Sequence, residues 1–192
     1  MSETLAKQLL IAMPSMEDPN FSRTVTLICE HTQDGAMGIV VNQPTTLLVD
    51  ELLNNFESTD TDSKQNDKKS TALHGPVYAG GPVQVDRGFI LHDSDKQWES
   101  THIIDNHLSL TTSEDILIAI AQGKGPENAL VALGYAGWGA GQLEEEISAN
   151  SWLTVPYDAQ ILFNTPIDQR WQSAATKLGI DVNLISSQAG HA

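Results

Sequence analysis

The chain has 192 residues, with 25 acidic against 10 basic side chains and a formal net charge of -15. Hydrophobic residues make up 40%, enough to bury the core of one domain spanning 1–192, and no apolar run approaches the roughly 20 residues that a membrane helix needs. So negative a field repels phosphate backbones, whose binding rests largely on clustered Lys and Arg, and no nucleic-acid binding is expected.

Cys29 is the single cysteine, which excludes an internal disulfide and suits a reducing cytoplasm. The N-terminus shows no charged segment followed by an apolar one, so no secretory signal is expected. In chain order, Leu9 to Ala12 reads as a first strand or the end of a short helix, stopped by Pro14. Phe21 to Glu30 alternates, with Phe21, Arg23, Val25, Leu27 and Cys29 on one face and Ser22, Thr24 and Thr26 on the other. Asp34-Gly35 signals a hairpin turn into Met37 to Val41, a strand apolar on both faces and therefore central. Leu47 to Phe56 reads as a short helix. Glu57 to Thr71 is almost wholly polar, holds Lys64, Lys68 and Lys69, and is expected to be a mobile loop within the domain.

Val77 to Pro82 predicts a strand and a tight turn, followed by a strand over Val83 to Leu91. Thr111 or Thr112 is placed to cap a helix whose buried stripe is Ile116, Leu117, Ile120 and Ala121 and which Gly123 and Pro126 end. Ala129 to Leu133 reads as a strand running into a turn with four glycines (Gly134, Gly137, Gly139 and Gly141). A helix over Gln142 to Asn150, a strand over Trp152 to Val155 and a last helix over Asp168 to Leu178 complete the chain. Strands in hairpins followed by interspersed helices favour α+β over a regular parallel sheet.

Several segments are individually unusual: Asp18 to Val25, Cys29-Glu30-His31, Gly35-Ala36-Met37-Gly38, Tyr78 to Val83, Arg87-Gly88-Phe89, Gly134 to Glu146, Trp171 and Ala189 to Ala192. In this order they resemble the YqgE/AlgH family of bacterial proteins. The chain departs from the family pattern at Gln43-Pro44, where an arginine more often precedes the proline, and in the polar insert from Ser58 to Ser70. The resemblance implies an α+β fold, a bent, largely antiparallel sheet closing towards a pseudo-barrel with helices packed outside. Members are sometimes labelled transcriptional regulators. The absence of a basic patch or helix-turn-helix pattern gives that label little support here.

The glycine-rich passage lacks the third glycine of a dinucleotide fingerprint, and Gly141 is followed by Gln142 rather than the Lys of a P-loop. Glu144, Glu145 and Glu146 at the start of the next helix repel phosphate. The structural reading is a turn that lets Trp138 pack. Arg23 and Arg87 are in phase with apolar strand positions if alternation holds, although Gly88 is a place for a bulge that breaks it. On an apolar face a guanidinium must be paired or face a ligand. Internal partners such as Asp18, Asp86 or Glu144 to Glu146 are one reading; a bidentate grip on an anion is the other. The candidate ligand site is therefore Arg23, Arg87, Trp138, Gly137 and Gly139, converging on one cleft. Cys29 and His31, two apart on a strand, are placed on one face, although a catalytic thiol-imidazole pair is the less favoured reading. His31, His74, His92, His102, His107 and His191 show no zinc spacing, so neither metal nor cofactor is expected. No catalytic set stands out. The expectation is a cytoplasmic binding or regulatory module for a small anionic ligand or a protein partner. An enzyme using an arginine/carboxylate cleft is the alternative, and a DNA-binding regulator the third.

Overall fold

The computed structural model describes residues 4–56, 73–93 and 96–185. The predicted loop at 57–71 and the final Ala-Gly-His-Ala motif lie outside the described residues. The strands are β1 (Gln8–Ala12), β2 (Val25–Thr32), β3 (Gly35–Val40), β4 (Pro44–Leu48) and β5 (Pro76–Ala79). They continue with β6 (Val83–His92), β7 (Thr101–Asp105), β8 (Leu108–Thr111), β9 (Ala129–Gly139) and β10 (Trp152–Pro156). The helices are α1 (Val49–Leu53), α2 (Asp115–Ala121), α3 (Gln142–Ser148), α4 (Arg170–Thr176) and α5 (Val182–Ile185).

Ten strands of the described residues form one sheet in the order β10-β1-β2-β3-β9-β6-β8-β7, with β4 and β5 branching from β9. Every pairing is antiparallel except β5 on β9. The sheet curls into a half-barrel, and the fold is α+β. Curling follows from the core: Leu9 and Val155 near one edge meet Ile104, Leu108 and Leu110 near the other in a single apolar cluster. That cluster fills the concave side, where α4 lies across β1 with Trp171 Nε1 donating to the Ala12 carbonyl at 2.9 Å. The opposite face is also covered. Leu10, Ile28 and Ala136 pack against Leu143 of α3, and Val77, Ile90 and Val131 pack against Val49 of α1 and Ile116 of α2.

β3 is central, as its two apolar faces predict: it lies between β2 and β9, and a Cβ on Gly38 would stand 2.9 Å from the Leu27 carbonyl. Elsewhere the elements differ from the sequence reading. β2 begins at Val25 rather than Phe21, because Asp18 forms a turn, its carboxylate accepting from the Asn20 N–H at 2.9 Å and its carbonyl from Phe21 and Ser22. Such Asx geometry competes with strand pairing. Leu47 and Leu48 belong to β4, since Leu48 pairs with Pro76, and only Val49–Leu53 is helical. The β7–β8 hairpin is absent from the sequence reading, and Thr111, expected as a helix cap, closes β8 instead. β9 runs through Gly134 and Gly137 to Gly139, so the predicted glycine turn is largely strand.

Candidate functional site

Two irregularities build a groove on the concave face. In β2, Ile28 pairs with Gly38 and Glu30 with Met37, leaving Cys29 as the extra residue of a bulge. The bulge reverses the alternation. Glu30 and Thr32 therefore line the groove, while His31 turns to the outer face. In β6, Val83 pairs with Tyr135 and Gly88 with Leu133, so residues 84–87 stand opposite Gly134 alone. Gly134 has φ 77°, and a Cβ there would lie 2.4 Å from the Gly81 carbonyl oxygen. Across it the phase of β9 shifts by one, bringing Tyr135 onto the same cluster as Leu130 and Ala132.

The result is an open groove of about 600 Å³ where Met37, Phe89, Leu110 and Tyr135 continue the core surface towards solvent. Glu30, Asp34, Arg87 and His102 supply its charged and polar groups. Phe89 and Tyr135 meet edge to face at 5.6 Å between centroids, a favoured aromatic geometry. The Arg87 guanidinium sits 5.6 Å from the centre of the Phe89 ring, and its Nη1 donates to Gln84 Oε1 at 3.2 Å. Among the described residues no carboxylate pairs with it.

Arg87, Gly137 and Trp138 thus come together at this groove. The Trp138 ring is nevertheless held on the outer side, packed with Phe21 and Trp152. Its indole N–H donates to Glu146 Oε2 at 2.9 Å, and the Trp152 indole donates to the same oxygen at 2.8 Å. Gly139 stands apart from the groove lining. It pairs with Gly35, and its N–H donates to Gln142 Oε1 at 3.0 Å at the start of α3. Arg23 lies elsewhere, in a small cleft with Asn42, Asp168, Trp171 and Gln172. The expected single cleft is therefore divided.

The expected burial of both arginines is corrected. Arg23 precedes β2 at φ 57° and is exposed, its guanidinium 4.9 Å over the Trp171 ring. Arg87 is exposed because the bulge lifts it from the strand phase. Neither forms an internal ion pair among the described residues; each rests on an aromatic face, a contact open to a cation that keeps its hydration.

The buried arginine is one the sequence reading passed over. Arg170 is 5% exposed. Its Nε donates to the Thr165 carbonyl at 3.0 Å, its Nη1 donates to the Val41 carbonyl, and its guanidinium lies 5.3 Å over the Tyr78 ring. The signal for it was present: Arg170 lies in the first turn of the helix predicted over Asp168 to Leu178, one turn before Ala174 on its buried face.

Cys29 and His31 do not face each other. Cys29 is in the inner core, where burial pushes the thiol far above its usual range and keeps it protonated. His31 Nδ1 accepts from the Leu5 N–H at 2.9 Å, so Nε2 carries the proton donated to Glu144 at 2.7 Å. The Glu144 carboxyl is held below its usual pKa, first by its own backbone hydrogen bond and then by His31. His74 is exposed beside Asp50, whereas His92 is buried against Thr111 and Trp98. Among the described residues no group of His, Cys, Asp and Glu has a metal-holding arrangement. No helix of the described residues is long and apolar enough to cross a membrane.

A curled sheet forked at β9 and fixed by glycine-on-backbone crossings defines an α+β half-barrel of particular type. The chain belongs to the AlgH-like family, whose model matches residues 9–183. A UPF0301 protein of Thioalkalivibrio sulfidiphilus is 53% identical over 191 residues, covering 100% of this chain and 98% of that protein. One from Saccharophagus degradans is 52% identical, covering 98% and 89%. The solution structure of the AlgH protein from Pseudomonas aeruginosa superposes with a TM-score of 0.75 at 46% identity, over 100% of this chain and 99% of that one. A Corynebacterium diphtheriae protein shares the fold at 19% identity and a TM-score of 0.70, over 97% of this chain and 93% of that one.

Proposed function

We propose that the protein is a binding module whose groove between β2, β6 and β9 takes a small ligand with an anionic head and an apolar body. The observation that carries this is the Arg87 guanidinium, poised over Phe89 at the groove without a carboxylate partner among the described residues. Phe89, Tyr135, Met37 and Leu110 offer the apolar surface, and concave, mostly apolar sites with a few fixed polar groups are what small ligands favour. Glu30 and Asp34 repel the ligand's negative end and accept from its donors, giving it one orientation. Binding is preferred to catalysis because the described groups with the largest pKa shifts, Cys29 and His92, line neither this groove nor the Arg23 cleft, whereas catalytic groups cluster with their shifts.

A thermal-shift screen with small aromatic carboxylates such as benzoate tests the reading. The wild type gains stability with ligand concentration. Arg87→Met keeps the ligand-free melting temperature, as exposed substitutions generally stay within about 0.5 kcal/mol, and loses most of the gain. An undiminished gain in Arg87→Met overturns the reading.

A further inference from the structure

A second cavity, of about 340 Å³, lies between β5 and the segment leading into α4. Val49, Pro76, Leu162 and Ile167 supply apolar walls, and two nearly buried polar side chains, Arg170 and Tyr78, line it. A guanidinium has five N–H donors. Here Nε serves the Thr165 carbonyl and one Nη1 hydrogen serves the Val41 carbonyl. Five minus two leaves three, one on Nη1 and two on Nη2, with no acceptor among the described residues. Thr26 Oγ1 is the one fully buried side-chain polar atom without a partner among the described residues, so the free Arg170 hydrogens and the Tyr78 hydroxyl reach the solvent of the cavity, while the Tyr78 ring supports the guanidinium. Among the described residues no carboxylate pairs with Arg170. A buried cation held by two carbonyls and a ring keeps its charge uncompensated, and a buried charge without a counter-charge is costly. The two carbonyl bonds fix the plane of the guanidinium and leave Nη2 and one Nη1 hydrogen unused, and two adjacent nitrogens of this kind can take a carboxylate with parallel hydrogen bonds.

We infer that this cavity binds a small monocarboxylate, its two oxygens on Arg170 Nη1 and Nη2, one oxygen also accepting from the Tyr78 hydroxyl, and a short apolar tail against Val49 and Leu162. Glu127 on the cavity wall opposes a dianion such as phosphate. The site shares no residue with the Arg87 groove, so the two assignments stand or fall separately.

The test uses sodium butanoate on the full chain, read by melting temperature and by the ¹⁵N-edited signals of the Arg170 side chain. Butanoate shifts those signals and raises the melting temperature in the wild type and equally in Arg87→Met, while inorganic phosphate at matched ionic strength does neither. Tyr78→Phe keeps the ring and weakens binding about ten-fold, the effect of one hydrogen bond to a charged acceptor. Arg170→Lys keeps the charge, loses the paired donors and abolishes the response. Arg170 signals unmoved by saturating butanoate overturn the proposal even if the Lys variant fails to fold. So does an equal response to phosphate, or an undiminished one in a folded Arg170→Lys.

Discussion

His92 shows how burial turns one residue into a pH-dependent element of stability. It is fully buried on β6, its Nε2 within 2.8 Å of Thr111 Oγ1 and its ring edge-on to Trp98 at 4.9 Å. Burial lowers its pKa from 6.5 to about 4, against an opposing pull from Asp93. The unfolded chain therefore binds this proton more readily than the folded one. Stability from keeping His92 neutral is complete above pH 6.5 and is lost as pH falls through that value towards about 4. Across that window, the loss attributable to His92 amounts to at most about 3 kcal/mol, at 1.36 kcal/mol per pKa unit. Urea unfolding followed from pH 7 to pH 4 will show a steeper decline in the wild type than in His92→Gln. Parallel curves would remove His92 from the account. Asp115 and Asp158, whose pKa values are lowered despite desolvation by the Ser113 and Lys177 hydrogen bonds respectively, act in the same direction in a more acidic range.

At the scale of elements, the crossing of the β5–β6 turn over β9 fixes where the groove opens. Gly81 packs so closely that a Cβ would lie 2.1 Å from the Tyr135 carbonyl carbon, and one on Gly80 would lie 2.3 Å from the Gly134 oxygen. These contacts are with backbone, which cannot yield as a side chain does. Gly88, in the same strand as the bulge, has nothing within 4 Å of its missing Cβ. Gly81→Ala is thus expected to lose more than about 4 kcal/mol or fail to fold, whereas Gly88→Ala stays within about 0.5 kcal/mol. Denaturant midpoints for the two variants check this, and a mild Gly81→Ala would show that the β5–β6 turn is free to move off β9. Gly80, Gly81 and Gly134 are thus required by close backbone crossing, whereas Gly137, Gly139 and Gly141 have no backbone within 4 Å of a missing Cβ.

For the molecule as a whole, the charge of -15 bears on partners. No duplex binding is expected at physiological salt, where DNA-binding proteins show non-specific dissociation constants of about 10⁻⁴ to 10⁻⁶ M. An anisotropy titration with mixed-sequence duplex measures it, and micromolar binding that weakens steeply with salt would restore the regulator reading. The same excess of carboxylates sharpens the meaning of Arg87 and Arg170. With 25 acidic residues in the chain, both guanidinium groups rest on aromatic rings without a carboxylate partner among the described residues.

The sequence by itself determined the family, the α+β class and the strands with strong local patterns: β3, β5, β6 and β10. It also placed α3 and α4. Those features rest on alternation, helical periodicity and turn residues close together in the chain. The tertiary structure alone decided the sites. Strand phase put Arg23 and Arg87 in the core, but the Asx turn at Asp18 and the bulge opposite Gly134 lifted both out. The bulge at Cys29 separated it from His31 in the same way. The β6 bulge has its cause in β9, far along the chain, whereas the Asp18 turn is a local feature that strand alternation overrode in the sequence reading. β7 and β8 were illegible because their stability comes from pairing with each other and, through β8, with β6 rather than from their own pattern. Arg170 became a candidate only when Val41, Tyr78 and Thr165 were brought around it, since burial and unused hydrogen-bond donors are properties of the folded neighbourhood.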